Sequence, residues 1–345
     1  MNDKTVVRLK DVAEAAGVDT STASRVLNGE AGHRVAAETR NRVLAAAGRL
    51  GYRPNEMARA LRTARTRTLG IVVPQLDNPV FPQIIIGATS AAHARGYELL
   101  VSLVDAAADS NSVYDRLAHA NRVDGLLVST LEDDATLRGI LKRASVPFVL
   151  VNRKLRGVAN FVVHDNFEAA KASAAYLLSL GHRRIAHVAG RLTGYNGSQR
   201  LAGYESALRD AGIEPSPDLV FEAGYTLEGG VRATEALLAS RRMPTAILAA
   251  TVISAAGALK ALHAAGVRVP QDVSVMSIHD LPIADMLQPP LTAMRLPLQE
   301  MGKVATEGLI DVLEGKAKSV SRLLPHEQLV VRSSTAPPRS RTARR

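Results

Sequence analysis

The stretch Leu9–Asn28, LKDVAEAAGVDTSTASRVLN, decides how this chain is read. Two short amphipathic runs flank a glycine. In the first run Val12, Ala13 and Ala16 fall on one side of a helix. Gly17 stands where the turn between two helices wants a residue free to adopt positive φ. Asp19 is a good N-cap for a second helix, in which Ala23, Val26 and Leu27 share a face. Thr20, Ser21, Ser24 and Arg25 then project to the other side, and Asn28-Gly29 ends the helix. Hydroxyls can bond base edges or phosphates, and an arginine can grip guanine O6 and N7 in bidentate fashion, so this face suits a recognition helix in a helix-turn-helix. A small helical hairpin with a solvated polar face would carry the same pattern.

A third helix is expected up to about residue 50. After it comes GYRPNEMARALR, residues 51–62. Pro54 forces an extended approach, and Asn55 can cap a very short helix ending at Leu61. Arg59 and Arg62 flank Leu61. A short basic helix with an apolar tip can order on DNA and wedge its leucine between base pairs in the minor groove. A packing linker with Leu61 buried is the alternative. Residues 63–68 (TARTRT) read as a linker.

Charge supports the first of these readings. The 345-residue chain carries a net charge of +10, and the excess is localised. Residues 1–67 hold 13 Lys and Arg against 7 Asp and Glu, residues 333–345 hold four Arg and no acid, and residues 68–332 balance at 26 of each. A concentrated basic surface of this kind is what phosphate binding needs. The absence of cysteine excludes disulfides, thiolate metal sites and cysteine nucleophiles. No apolar run reaches the roughly 20 residues that span a bilayer, and the N-terminus lacks the apolar core of a signal peptide. The expectation is a cytoplasmic protein without membrane association.

From Leu69 the pattern changes. Runs rich in Val, Ile and Leu (TLGIVVPQ, ELLVSLVD, DGLLVST, PFVLVNRK, NFVVHDN, RIAHVAGR, LVFEAGY, TAILAAT, DVSVMSI) alternate with helical stretches such as 81–95, 167–180, 200–211 and 255–265. Continuous apolar strands alternating with helices indicate parallel sheets covered on both faces, and so many units imply two sheets. With aromatics at only 3%, Ala, Val, Leu and Ile must fill the core. The tail SSTAPPRSRTARR, rich in Pro, Ser and Arg, reads as disordered from residue 335.

The order DVAxxAGV, SRVLN, TRxRVLxAxxxLGYRPNxxARxLR resembles the LacI/GalR family of bacterial transcription regulators, densely over residues 9–62 and more loosely to about residue 334. The resemblance implies a multidomain chain. An all-α helix-turn-helix headpiece occupies 1–54, and a hinge helix and linker 55–67. An α/β body like a type I periplasmic binding protein occupies 68–334. Its two Rossmann-like subdomains combine 68–160 with 293–321 and 161–290 with 322–334. Crossovers fall near 159–161, 290–293 and 320–324. The resemblance also implies a homodimer on near-palindromic operator DNA, with affinity set by a small carbohydrate-like effector and with no cofactor or metal. Bases would be contacted by Thr20, Ser21 and Arg25. Asn55–Leu61 would form the hinge helix, with Leu61 as its wedge and Ala58 and Arg59 near the minor groove. Ala36 departs from the family, which usually caps the third helix there with Ser or Thr, at a cost of about 1 kcal/mol.

Ligands of parallel sheets bind beyond the carboxyl ends of the strands, and the effector candidates come from there. Phe81, in Asp77-Asn78-Pro79-Val80-Phe81, can stack on a ring or pack its helix onto the sheet. Asn152 and Arg153 match a family position that faces the cleft. Asp165 follows the strand that opens the second subdomain. Arg200 begins a close match to the family motif whose arginine binds effector, since a guanidinium can fork onto two ligand oxygens. Two departures fall in the same pocket. Thr251-Val252 stands where the family has Asn-Asp, and His279 stands where it has its effector-binding Asp, followed by Asp280. The lost acceptors, with Arg153, Arg191 and Arg200, leave open an oxidised or phosphorylated sugar or another anion. A solute-binding protein would have no use for residues 9–62. A sugar-active enzyme would need two carboxylates converging in the cleft, and the chain carries no GxSxG, HExxH or Walker A motif.

Overall fold

The computed structural model describes residues 7–27, 35–52, 65–104, 113, 114, 116, 117, 122–240 and 243–339. The chain divides into two compact units, Met1–Thr66 and Arg67–Arg345.

The small unit is built from helices α1 (Leu9–Ala16), α2 (Thr20–Leu27) and α3 (Ala37–Leu50). Its core consists of small residues only: Val12, Ala13, Ala16, Ala23, Val26, Val43, Ala46 and Ala47. Side chains this short let the three helices approach closely, and Leu9, Val18, Leu27 and Tyr52 close the edges. The helix starts are fixed by carboxylates. Asp11 accepts from the Arg8 N–H at 2.8 Å, and Asp19 accepts from the Thr22 N–H at 2.9 Å. Gly17, at φ +63°, donates back to the carbonyls of Ala13 and Glu14 and turns the chain into α2. Ala36 precedes α3 without any side-chain cap. The hinge candidates Asn55, Ala58, Arg59, Leu61 and Arg62 lie outside the described residues.

The large unit holds two six-stranded sheets. The first has the order β11-β5-β4-β3-β1-β2, with β1 (Thr68–Val73), β2 (Glu98–Leu103), β3 (Gly125–Val128), β4 (Phe148–Val151), β5 (Phe161–His164) and β11 (Ser321–Leu324). The second has the order β12-β10-β9-β8-β6-β7, with β6 (Ile185–Ala189), β7 (Val220–Glu222), β8 (Ala246–Ala249), β9 (Ser274–Ile278), β10 (Thr292–Met294) and β12 (Leu329–Val330). Among the described strands only the β10–β12 pair is antiparallel. The inner strands β3, β6, β8 and β9 are buried along their whole length, as sheets covered on both faces require. The helices lying wholly among the described residues are α4 (Val80–Ala94), α5 (Asp134–Arg143), α6 (Asn166–Ser179), α7 (Tyr195–Asp210), α8 (Leu227–Ala239), α9 (Val252–Ala264), α10 (Pro282–Met286) and α11 (Leu298–Leu313). Where α4 crosses α11, Gly87 and Gly302 bring each backbone against the other, and a Cβ on either would overlap a carbonyl of the facing helix.

The crossovers differ from the sequence-based boundaries. Strand β5 stays in the first sheet, pairing Leu150 with Phe161 and Val151 with Val162, and the chain leaves only after His164. Strand β10 stays in the second sheet until Met294, and β11 stays in the first until Leu324. Each crossing segment thus completes its ladder before changing sheets, because a strand stopping short would leave buried N–H and C=O groups unpaired. The tail also departs from expectation, since residues 335–339 are ordered. Strand β10 begins opposite Met276, and the tail takes its place beside the start of β9. Val275 N–H donates to Ser334 O at 2.8 Å, and Ala336 N–H donates to Ser274 Oγ at 3.0 Å. His182 Nε2 donates to Ala336 O at 2.9 Å. Residues 340–345 lie outside the described residues.

Candidate functional site

On the small unit, α2 exposes Thr20, Ser21 and Arg25 and leaves Ser24 half-buried. The three polar side chains at its start are organised. Ser21 Oγ donates to Asp19 Oδ1 at 2.5 Å and Thr22 Oγ1 to Asp19 Oδ2 at 2.6 Å. These hydroxyls hold the exposed Asp19 carboxyl well below the usual carboxylate range. Arg25 Nη2 in turn donates to Ser21 Oγ at 2.8 Å. The guanidinium therefore rests on its own helix, one side-chain rotation away from a base or phosphate.

In the large unit, the loops beyond the strand ends enclose a cavity of about 190 Å³. One wall comes from the first sheet: Phe81, the loop Ser129–Asp134 after β3, and Asn152 and Arg153 after β4. The other comes from the second sheet: Arg191, Thr193–Asn196 after β6, and Tyr225 after β7. Two contacts bridge the walls. Arg191 Nη1 donates to Leu131 O. Asn196 Nδ2 donates to Asn152 O at 2.9 Å and lies 3.2 Å from Asn152 Oδ1. Backbone strain gathers here too. Asn152 (φ +58°), Tyr225 (φ +69°) and His279 (φ +96°) are left-handed non-glycine residues, each just past a strand end.

The sequence-based candidates separate into three groups. Phe81, Asn152 and Arg153 line the cavity. Arg153 is locked, donating to Glu132 O at 2.5 Å and to Asp134 Oδ1 at 2.6 Å. Arg200 and His279 lie behind the second wall, 1% and 2% exposed. Arg200 Nε donates to Asn166 Oδ1 at 2.8 Å and Nη1 to Ala250 O at 2.5 Å. Its Nη2 lies 3.1 Å from His279 Nε2 and 3.3 Å from His164 Nε2. A guanidinium can only donate, so His279 Nε2 accepts and its proton sits on Nδ1, which has no partner. Burial, then the Arg200 charge, pushes the His164 imidazole down to about 3 and His279 well below the ordinary range, and burial lowers Arg200 to about 10.

The third group lies elsewhere. Asp165 caps α6 through the Glu168 N–H at 3.0 Å. Thr251 caps α9 through the Ser254 N–H at 3.2 Å. Neither lines the cavity. Asp280, 3% exposed at its side chain, is held by Arg295 at 2.5 Å and Arg332 at 2.7 Å. It borders a second cavity beside the crossovers, lined also by Gln83 and Gln299; its Oδ2 accepts from Arg295, and its Oδ1 is paired with Arg332 by charge. Residues that sequence reasoning passed over are the β3 loop, Tyr195, Asn196 and Tyr225. All follow strand ends, so the rule that singled out Asn152 reaches them too. The carboxylates Glu132, Asp133 and Asp134 share one wall, and the facing wall has none, so no opposed pair exists among the lining residues. Among the described residues no cluster of three or more His, Asp or Glu could hold a metal ion. No described helix is long and apolar enough to cross a membrane.

A helix-turn-helix unit joined to a two-sheet body with a polar cleft at its strand ends defines a ligand-sensing DNA-binding class. The family description "Bacterial regulatory proteins, lacI family" matches residues 8–55, and "Periplasmic binding protein-like domain" matches residues 174–335. The chain is 34% identical to the HTH-type transcriptional repressor PurR of Erwinia tasmaniensis, over 95% of this chain and 96% of that protein. It is 35% identical to the HTH-type transcriptional regulator CelR of Thermobifida fusca, over 94% and 97%. Among solved structures, the lac repressor dimer bound to operator and the anti-inducer ONPF superposes with a TM-score of 0.85 at 30% identity, covering 96% of this chain and 99% of that one. A CelR–cellobiose complex superposes at 0.72 with 32% identity, covering 95% and 99%. The chain belongs to the lacI family of bacterial regulatory proteins. It is a DNA-binding transcription regulator and not an enzyme.

Proposed function

We propose that the chain is a cytoplasmic repressor that binds a near-palindromic operator as a homodimer and responds to a carbohydrate-like effector in the cleft. One observation carries the reading. A helix-turn-helix with Thr20, Ser21 and Arg25 exposed on its second helix shares a chain with a body whose cavity is walled by both sheets. Thr20, Ser21, Ser24 and Arg25 meet the operator in the major groove. Residues 55–67 serve as the hinge, with Asn55, Ala58, Arg59 and Arg62 near the minor groove and Leu61 as its wedge. Phe81, Asn152 and Arg153 contact the effector directly, and Arg200 acts from behind Asn196. The relatives named as repressors, the operator-bound dimer and the cellobiose complex support the repressor, operator and effector parts of the reading. An effector that prefers one spacing of the two walls changes operator affinity by linkage.

Selection from a random duplex pool across a salt series tests the reading. The expected result is a palindrome whose affinity falls steeply with salt and weakens in Leu61→Ala. Failure to enrich any sequence, with and without pooled sugars, sugar acids and nucleosides, overturns it.

A further inference from the structure

Arg200 and Arg153 are the two buried arginines among the described residues. Arg153 has the Asp134 carboxylate at 2.6 Å. Exposed or half-exposed arginines elsewhere in the body also find acids: Arg95 with Asp311 and Glu314, Arg268 with Asp272, Arg295 and Arg332 with Asp280. Arg200 has none. Its contacts are an amide oxygen, a carbonyl oxygen and two imidazole nitrogens, all neutral. A guanidinium does not surrender its proton in a protein, so a full positive charge is buried against dipoles alone, an arrangement that is costly without a counter-charge.

That charge backs onto the cavity. Asn166, which accepts from Arg200, donates to Asn196 Oδ1 at 3.0 Å, and Asn196 lines the second wall. Tyr225, on the same wall, feels both Arg200 and Arg191. Arg191 lines the cavity with a single side-chain bond, to Leu131 O, and with no acid in salt-bridge range among the described residues. Its remaining guanidinium N–H groups form a free fork suited to two oxygens of one anionic group. The first wall has the opposite character. Glu132, Asp134 and the hydroxyls of Ser129 and Thr130 suit the hydroxyls of a polyol. The volume, about 190 Å³, lies below the roughly 300–1,000 Å³ of common small-molecule clefts, which points to a single ring or short chain.

We infer that the cleft takes an anionic polyol of monosaccharide size, its carboxylate or phosphate on Arg191 in front of Arg200, its hydroxyls toward the Ser129–Asp134 loop. The assignment rests on the cleft being the effector site. Titration calorimetry of the full chain at matched ionic strength tests it, with hexoses, their uronic acids, their 6-phosphates and inorganic phosphate alone. The expected result is a charged sugar binding about tenfold or more tighter than its neutral parent, with the uronic-acid and 6-phosphate arms telling carboxylate from phosphate. Arg191→Gln, on the cavity surface, should bring the charged ligand down to the neutral level. A neutral hexose binding as tightly as its charged forms, or a preference that survives Arg191→Gln, overturns the anion assignment and leaves the effector cleft standing. Binding by inorganic phosphate alone with no gain from the sugar overturns the polyol part. Binding by none of them overturns both the assignment and the cleft as effector site.

Discussion

Arg25 shows how much a single side chain is asked to do. It is exposed, folded back on Ser21, and carries no acid partner among the described residues. Releasing it to a base costs two solvent-exposed hydrogen bonds, to Ser21 O and Ser21 Oγ. A bidentate arginine–guanine contact discriminates by about 1–3 kcal/mol. Arg25→Ala should therefore lower operator affinity about tenfold or more and relax preference at one base pair in each half-site, measured by selection on the variant. A uniform loss across all sequences would reassign Arg25 to phosphate. Ala36 offers a gain instead. It begins α3 with no side-chain acceptor for the first N–H groups, and Ala36→Ser should stabilise the small unit by about 1 kcal/mol, read as a higher melting temperature; no change would mean that water already satisfies that turn. Residue identity alone was enough to place Arg25 on the exposed face of α2 and to show the missing cap. It was not enough for Asp165, Thr251 and Asp280, because whether a polar residue at a strand end faces ligand, caps the next helix or pairs with an arginine depends on partners distant in sequence.

Elements were the most legible level. The nine strands expected from Val/Ile/Leu runs are all present: the inner ones, buried on both faces, carry a continuous apolar signature, and the edge strands β2 and β7 keep apolar runs although they are exposed or half-buried. Strands β10, β11 and β12, of two to four residues, left no such run. They exist because neighbouring strands offer unpaired backbone groups, and the ordered tail follows the same logic. Ser334 is fully buried there, donating to Val275 O at 2.6 Å and accepting from the Thr292 N–H at 2.8 Å. Ser334→Ala leaves both backbone groups unpaired and should cost about 1–3 kcal/mol, seen as a lower urea midpoint for the body; an unchanged midpoint would mean that the tail is dispensable. The glycine contact between α4 and α11 was equally hidden, since a helix-internal glycine reads only as a weak spot. In place, a Cβ at Gly302 would overlap the Ile84 carbonyl. Gly302→Ala should push the helices apart and destabilise by about 1–3 kcal/mol, although alanine is the better helix former.

At the scale of the whole molecule, the charge partition and the change of pattern at Leu69 made two units legible, while the first two crossovers were set a few residues early because composition does not mark where a ladder ends. The units have separate cores, eight small residues in the small unit and, in the body, one cluster spanning both sheets with a second on the first sheet, so the chain should not unfold as a single cooperative block. Acid should separate the transitions further. The body buries His164 and His187 completely, and burial pushes their imidazoles down to about 3 and about 4. An unfolded chain titrates its histidines near 6.5. Below that pH the unfolded body takes up protons that the folded body refuses, so its stability is full above 6.5 and drains away as the pH falls toward 4. The described part of the small unit contains no histidine, and its exposed Asp19, held below the usual range, keeps its contribution until the pH is far lower. Scanning calorimetry at pH 8, 7, 6 and 5 should show a body transition that is steady over the first two and falls over the last two, while the small unit's transition moves little. Parallel movement of both transitions would show that the units are coupled through contacts rather than tethered, and a body transition unmoved at pH 5 would mean that the buried histidines accept protons where they stand.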